Sequence, residues 1–522
     1  MAGPGAAAPV AHPPLEGGAR LLGTLALSLA TFMNVLDSSI ANVSIPAIAG
    51  DLGVSPAQGT WVITSFGVAN AISVPLTGWL TQRFGAVRLF TASVLLFVLS
   101  SWLCGFAHSL EMLIAARVLQ GLVAGPMMPL SQTLLLSSYP PAHAGRALAL
   151  WGMTTLVAPV VGPLLGGWIT DNFAWPWIFY INVPVGLLAA FITWSVYHRR
   201  ETPVRKLPID VVGLCLLVLW VGSLQLMLDK GKELDWFASG EIVTLGVLAV
   251  VGFVVFLAWE LTDAHPVVDL RLFGRRNFLF GVLATSVGYG LFFGNVVLLP
   301  LWLQQWMGYT ATSAGMALAP VGVLAIALTP LVGRKVTVWD PRWIATVAFA
   351  IFALVLYMRA GFTPQADFAT ILVPTVLQGA ALALFFIPLT TVSLAGVQPQ
   401  RLPAAAGLSN FVRITAGAMG ASITTTLWDD RATMHHAHLV ERFQLGDPAL
   451  ADALARLQAG GLGEGAAMAQ LQRLIDQQAY TRAADDIFLA SAWIFLAMIG
   501  LIWLTRRPPR AAGAPADAGG AH

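Results

Sequence analysis

Apolar runs of about 18 or more residues, bounded by charges or turn residues, recur about fourteen times along the chain, and at roughly 1.5 Å per helical residue each can cross a bilayer. They lie near residues 21–46, 59–80, 89–107, 112–137, 147–170, 178–197, 209–228, 241–260, 278–303, 311–332, 343–361, 368–393, 403–428 and 486–505. Of the 522 residues, 57% are hydrophobic and only 10% charged, against roughly 25% charged in a soluble domain. The expected fold is an all-α polytopic membrane protein within the lipid bilayer. A formal net charge of +2 points to neither a nucleic acid nor an acidic partner, because membrane proteins sort charge by side rather than by total. Cys104 and Cys215 both fall inside apolar runs, where each reads as a small buried hydrophobe outside any disulfide framework.

Charge sets the expected orientation. Placing the N-terminus in the cytoplasm puts Arg83, Arg88, Arg146, Arg199, Arg200, Arg334, Lys335, Arg401, Arg506 and Arg507, among others, inside. The short outer loops keep only Lys230, Lys232 and Arg359. By the positive-inside rule both termini then lie in the cytoplasm. Residues 1–20, rich in Pro, Gly and Ala, lack the basic start and apolar centre of a cleaved signal and are expected to form a flexible tail.

An internal repeat divides the rest. VLQG at residues 118–121 recurs at 376–379, 258 residues later, and each copy leads into a similar stretch. This pattern predicts two parallel six-span bundles, 21–200 and 276–505, with two extra spans in 201–275 and a cytoplasmic tail at 506–522. Such repeats place a substrate site near the midplane between the halves. The repeat breaks at Arg117, whose counterpart is Thr375, so the arginine's task is expected to be confined to the N-terminal half.

Asp37 is the only acid deep inside a predicted span. Its ionised form costs at least about 2.5–3.5 kcal/mol at a helix centre, so it needs a partner, a water-filled cavity or a proton. Burial disfavours the charge and a nearby cation favours it, which makes Asp37 a candidate proton carrier and Arg117 the candidate partner that tunes it. The alternative is a helix-packing Asp bonded to Ser38 or Ser39. Arg413 is a further charge inside a span, with a structural and a cavity-shaping role both open. APVVGPLLGG at residues 158–167 strips side chains from one helix face and permits close approach, while its prolines free carbonyls and bend the helix. Candidate cavity residues are Asn34, Gln120, Trp151, Tyr289, Phe292, Phe293, Asn295 and Gln378; Tyr289, Phe292 and Phe293 share one face by their spacing. HHAH, with His435, His436 and His438, reads as a solvated loop cluster rather than a metal site, because no second ligand group stands at suitable spacing.

LDSSIANVSIP at 36–46, RVLQGLVAG at 117–125 and APVVGPLLGG at 158–167 resemble the motifs of the fourteen-span drug:proton antiporters of the major facilitator superfamily. WIFYINVPVG at 177–186, LQLMLDKGKELDWF at 224–237 and SNFVRITAGAMGASITTTLW at 409–428 are similar to its Emr-type exporters, whose B subunit belongs to a tripartite pump. The resemblance implies two six-helix bundles plus two central spans in a bacterial inner membrane, without a cofactor or a metal. It implies export of lipophilic small molecules against protons, proton coupling by Asp37 and Arg117, and a conformational role for Ala158, Pro159, Gly162, Pro163, Gly166 and Gly167. Its implied partners are a periplasmic membrane-fusion adaptor and an outer-membrane channel. GWLTQRFGAVRL at 78–89 resembles the family's cytoplasmic loop motif through Gly78, Arg83, Gly85 and Arg88, but Gln82 stands where an Asp is usual. That change removes the acid of a salt-bridge latch.

Two other functions compete: proton-linked export of one endogenous metabolite, and an intramembrane enzyme. The enzyme lacks a sequence signature, since no HExxH or GxSxG motif and no pair of intramembrane acids is present. An ATP-driven pump would need a GxxxxGK[ST] loop, which is also absent. The long outer connection at 429–485 carries apolar residues at helical spacing over 449–459 and 466–479, separated by GGLGEG. Two amphipathic helices on the outer face are expected there.

Overall fold

A computed structural model describes residues 13–507, apart from 55, 205–207, 209, 265, 337, 442–447 and 461–462. All regular structure among the described residues is helical. Among the described residues, twelve helices are long and apolar enough to cross a membrane. In chain order the long helices are α1 (Gly17–Asp51), α2 (Trp61–Phe84), α3 (Ala86–Gly105), α4 (Leu110–Ser138), α5 (Ala144–Asn172), α6 (Trp177–Arg200) and α7 (Val211–Lys230). They continue as α8 (Gly240–Thr262), α9 (Arg276–Gln305), α10 (Ser313–Lys335), α11 (Pro341–Arg359), α12 (Phe368–Leu394), α13 (Leu402–Glu441) and α14 (Glu464–Trp503). Of these, α5 and α13 pack along the seam between the two halves. The segment expected to be tail is already helical from Gly17, while residues 1–12 lie outside the described part.

Each half has its own core. Phe66, Phe90, Phe97, Met127, Trp151 and Tyr197 fill the first, and Trp302, Phe349, Phe352, Phe385, Phe488 and Phe495 fill the second. Aromatic pairs fix the second core, with Phe352 stacked on Phe495 at 4.7 Å and edge-on to Phe385 at 5.7 Å. The extra helices α7 and α8 lean on both halves through a third cluster, in which Trp220 of α7 meets Phe411 of α13 edge-on at 5.7 Å and Val74 of α2 is buried. Their connecting turn is tied to α13 by Trp236, whose Nε1 donates to Thr426 Oγ1 at 3.0 Å, and by a 2.8 Å ion pair of Lys232 with Asp429. Asp235 and Trp236 adopt positive φ to make this turn.

The halves meet through glycines. Gly333 of α10 lies so close to Gly145 of α5 that a Cβ added to it would sit 2.7 Å from the Gly145 carbonyl and 2.8 Å from the Ala149 Cβ. On the other side of the seam a Cβ on Gly407 of α13 would lie 3.1 Å from the Val74 carbonyl of α2, and Gly78 is pressed against Ala404. These contacts lie on the helices that carry Arg83, Arg146 and Arg334 and on the helix that Arg401 precedes. Gly333→Leu is expected to wedge α5 and α10 apart. With the native cysteines replaced, a cysteine at Gln132, on the seam, should then react several-fold faster with a maleimide applied from the basic side. Unchanged labelling would show that Gly333 does not hold the seam shut.

Beyond the bundle, α13 and α14 run 40 residues each, roughly 60 Å against a hydrocarbon core of about 30 Å. The stretch at 466–479 is therefore the first part of α14 and not a separate amphipathic helix; only Pro448–Ala459 forms a short helix of its own. Packing explains the fusion. Trp428 of α13 donates to the Tyr480 carbonyl at 2.9 Å, and the Tyr480 ring stacks on Trp306 at 4.3 Å. The histidines expected in a solvated loop lie on α13. His435 bonds Asp486 at 2.8 Å and His436 bonds Asp476 at 2.7 Å, which pins the two projecting helices together.

Candidate proton and substrate site

Asp37 is completely buried in α1 and its carboxylate meets Arg117, also completely buried, at 2.6 Å. The geometry assigns each oxygen. Oδ2 accepts from Arg117 Nη1, while Oδ1 accepts from Gln120 Nε2 at 3.1 Å and Asn182 Nδ2 at 2.8 Å. Arg117 also donates from Nη1 to Gln120 Oε1 at 2.6 Å and from Nε to the Val62 carbonyl at 2.9 Å. Ser101 of α3 closes the ring by accepting from Gln120 at 2.7 Å and Asn182 at 3.3 Å. Thus α1, α2, α3, α4 and α6 converge on one carboxylate. The guanidinium lies over the Phe66 ring at 4.2 Å, which supports the cation without adding a second anion. Arg117 Nη2 has no partner among the described residues.

The fifth-helix motif touches the residues that follow Asp37. A Cβ on Gly162 would lie 2.7 Å from the Ser39 Cβ, and one on Gly166 would lie 2.8 Å from the Ile40 carbonyl. Ala158 is buried, Gly167 is half-buried, and Pro159 and Pro163 lie within the helix with their side chains outside the described part. Close contacts thus join α1 to α5 just after Asp37, and α5 to the other half at Gly145.

The loop motif is joined by an acid that sequence reading passed over. Glu201, just after α6, accepts from the backbone N–H groups of Val87 at 3.0 Å and Arg88 at 2.9 Å, capping the start of α3. The Arg88 side chain stands 3.9 Å from it. Gly85 has φ of 88° and packs on that carboxylate, so a side chain is excluded there twice over. Arg83 lies over Trp79 at 5.6 Å.

Several candidate cavity residues turn out to be internal ties. Gln120 belongs to the Asp37 network, Trp151 donates to Ser131 at 3.0 Å, and Asn34 donates to the Ala124 carbonyl at 3.4 Å. Asn295 donates to the Leu291 carbonyl at 2.6 Å and to Ser491 at 3.3 Å. All four are buried because a lone polar group in an apolar helix satisfies itself before it faces a ligand. Gln378 accepts from Arg359 Nη2 at 2.7 Å. That arginine, expected in an outer loop, is the last residue of α11 and is buried beside Thr375 and Gln378. The repeat offset of 258 residues relates Asp37 to Asn295, Ser101 to Arg359, Arg117 to Thr375 and Gln120 to Gln378. The C-terminal half keeps the polar scaffold and carries no acid at the matching place.

Tyr289, Phe292 and Phe293 are half-buried, and Tyr289 stacks on Phe293 at 5.7 Å. Arg413 of α13 lies over the Tyr289 ring at 4.9 Å and the Phe386 ring at 5.7 Å. It donates to Asn410 Oδ1 at 2.6 Å and touches the Met128 sulfur of α4 at 3.6 Å, while Asn410 donates to Gln132 of α4 at 3.4 Å. Arg413 therefore sits where the halves face each other.

Comparison with known proteins fits this architecture. The family model described as Major Facilitator Superfamily matches residues 27–421. The chain is 52% identical over 510 residues to "Multidrug export protein EmrB" of Escherichia coli strain K12, covering 98% of this chain and 99% of that protein. It is 48% identical over 502 residues to "Fatty acid resistance protein FarB" of Neisseria gonorrhoeae, covering 96% and 99%. The crystal structure of the human organic anion transporter MFSD10 shares the fold with a TM-score of 0.58 at 13% identity, covering 93% of this chain and 100% of that one. With that match over most of its length and its paired helical halves, the chain belongs to the Major Facilitator Superfamily.

Proposed function

We propose that the chain is a proton-driven exporter of lipophilic compounds in a bacterial inner membrane, with both termini in the cytoplasm, and that it is the membrane component of a tripartite efflux pump. The observation that carries the reading is one wholly buried carboxylate, Asp37, held by Arg117 and Gln120 of α4 and by Asn182 of α6. A proton on Asp37 cancels its charge, weakens its hold on α4 and α6, and frees α1 to move with α5. Substrate and proton compete by favouring opposite arrangements of this seam, which is the differential affinity that alternating access needs. Relatives named for multidrug export and for fatty acid resistance support lipophilic cargo.

Purified protein in vesicles should accumulate a lipophilic dye such as ethidium when a proton gradient is imposed, and should stop when the gradient is collapsed. Dye movement indifferent to the gradient would overturn the reading. The segment 442–463, which joins the projecting ends of α13 and α14, is assigned to an adaptor that leads to an outer-membrane channel. Replacing residues 442–463 by a short Gly/Ser linker leaves the Trp428 and Tyr480 packing intact. It should spare exchange in vesicles while abolishing whole-cell resistance and adaptor co-purification. A shortened protein that keeps both would rule out docking there.

A further inference from the structure

Among the intramembrane arginines only Arg117 has a carboxylate partner among the described residues; Arg359 and Arg413 face none. A guanidinium cannot shed its proton to escape burial, and a buried charge without a counter-charge is costly. Arg359 spends its Nη2 donor inside the C-terminal half, on Thr375 and Gln378. Arg413 differs in place. It is only 6% exposed, yet it stands on the seam and contacts Met128 of the opposite half.

Its surroundings among the described residues are neutral: an amide oxygen, a thioether and two aromatic faces. Nη2 makes both hydrogen bonds, and Nε and Nη1 have no protein acceptor among the described residues. Two free donors of a planar fork match the two oxygens of a carboxylate. The rings of Tyr289 and Phe386 beside it supply an apolar wall for the body of the same molecule.

We propose that Arg413 is a specificity residue that binds the carboxylate of lipophilic anionic substrates between the two halves. The substrate brings the counter-charge that the protein omits. Because Arg413 and Asn410 also touch α4, the helix of Arg117, a bound anion is felt by the half that carries the proton. This inference rests on the exporter reading and deepens it by naming one class of cargo.

The test compares pyrenebutyrate with pyrenebutanol, which differ only in the charged head, by fluorescence titration of the purified full-length protein. The intact protein should bind the carboxylate at least about tenfold more tightly. Arg413→Gln should bring the two affinities together while pyrenebutanol binding stays at the parental level. Arg413→Lys keeps the charge but loses the fork and should retain part of the preference. Arg359→Gln, which removes the other unpaired guanidinium, should leave the preference unchanged. The inference is overturned if the intact protein does not prefer the carboxylate, if Arg413→Gln keeps the preference, or if Arg359→Gln abolishes it. Should Arg413→Gln lose the neutral probe as well, the Lys variant decides: a partial preference supports the assignment and an unaltered one refutes it. Gradient-driven ethidium transport, measured on the same preparations, fails only if the exporter reading itself is wrong.

Discussion

Asp37→Asn is expected to reduce gradient-driven dye accumulation to background while the protein reaches the membrane in parental amount. The substitution keeps size and shape. An amide oxygen can still accept from Arg117 or from Asn182, and burying an amide costs less than burying a carboxylate. What is lost is the exchangeable proton. Arg117 keeps the Val62 carbonyl, the Gln120 oxygen and the Phe66 face, which offset part of the cost of its unpaired charge, so the variant loses stability but keeps the fold. The check is paired measurement of membrane abundance and vesicle transport, and parental transport by the Asn variant would remove Asp37 from the proton path.

Arg117→Gln is expected to do more damage to stability than to expression. Removing one partner of a buried ion pair costs about 3–5 kcal/mol, because the other charge is left uncompensated. The double variant Asp37→Asn with Arg117→Gln carries no buried charge at this place, and its amides can bond one another, Ser101 and Asn182. Thermal unfolding in detergent should therefore show the double variant regaining most of the stability lost in Arg117→Gln, with transport still absent. Such strong non-additivity is the signature of a directly coupled pair. Additive losses would mean that the 2.6 Å contact contributes little.

Much of this was legible in the chain. Run length and sparse charge announce the helices, and the repeated VLQG announces the halves. It recurs because its last residue is a packing glycine in both copies: Gly121 abuts the Phe66 carbonyl and Gly379 the Val321 carbonyl. Asp37 stood out as an acid where lipid-buried chains avoid one. Its surroundings were not legible. Ser101 and Asn182 lie in apolar runs far from it in sequence and become ligands only when five helices converge. Arg359 is expected in a loop because a basic residue at a span end looks like a loop residue until the next helix covers it. The amphipathic pattern at 466–479 suggests a separate helix, because periodicity reports the face of a helix and not where it joins the next.

The central claim is that occupation of the substrate site and protonation of Asp37 exclude each other. Proton release on drug binding tests it most directly, with purified protein in weakly buffered solution, a pH indicator and a titration of ethidium. The account predicts a release that saturates with the occupied fraction of the protein and disappears in Asp37→Asn, which still binds the dye. Equal release from the Asn variant, or binding by the parent without release at any pH where it transports, would contradict it.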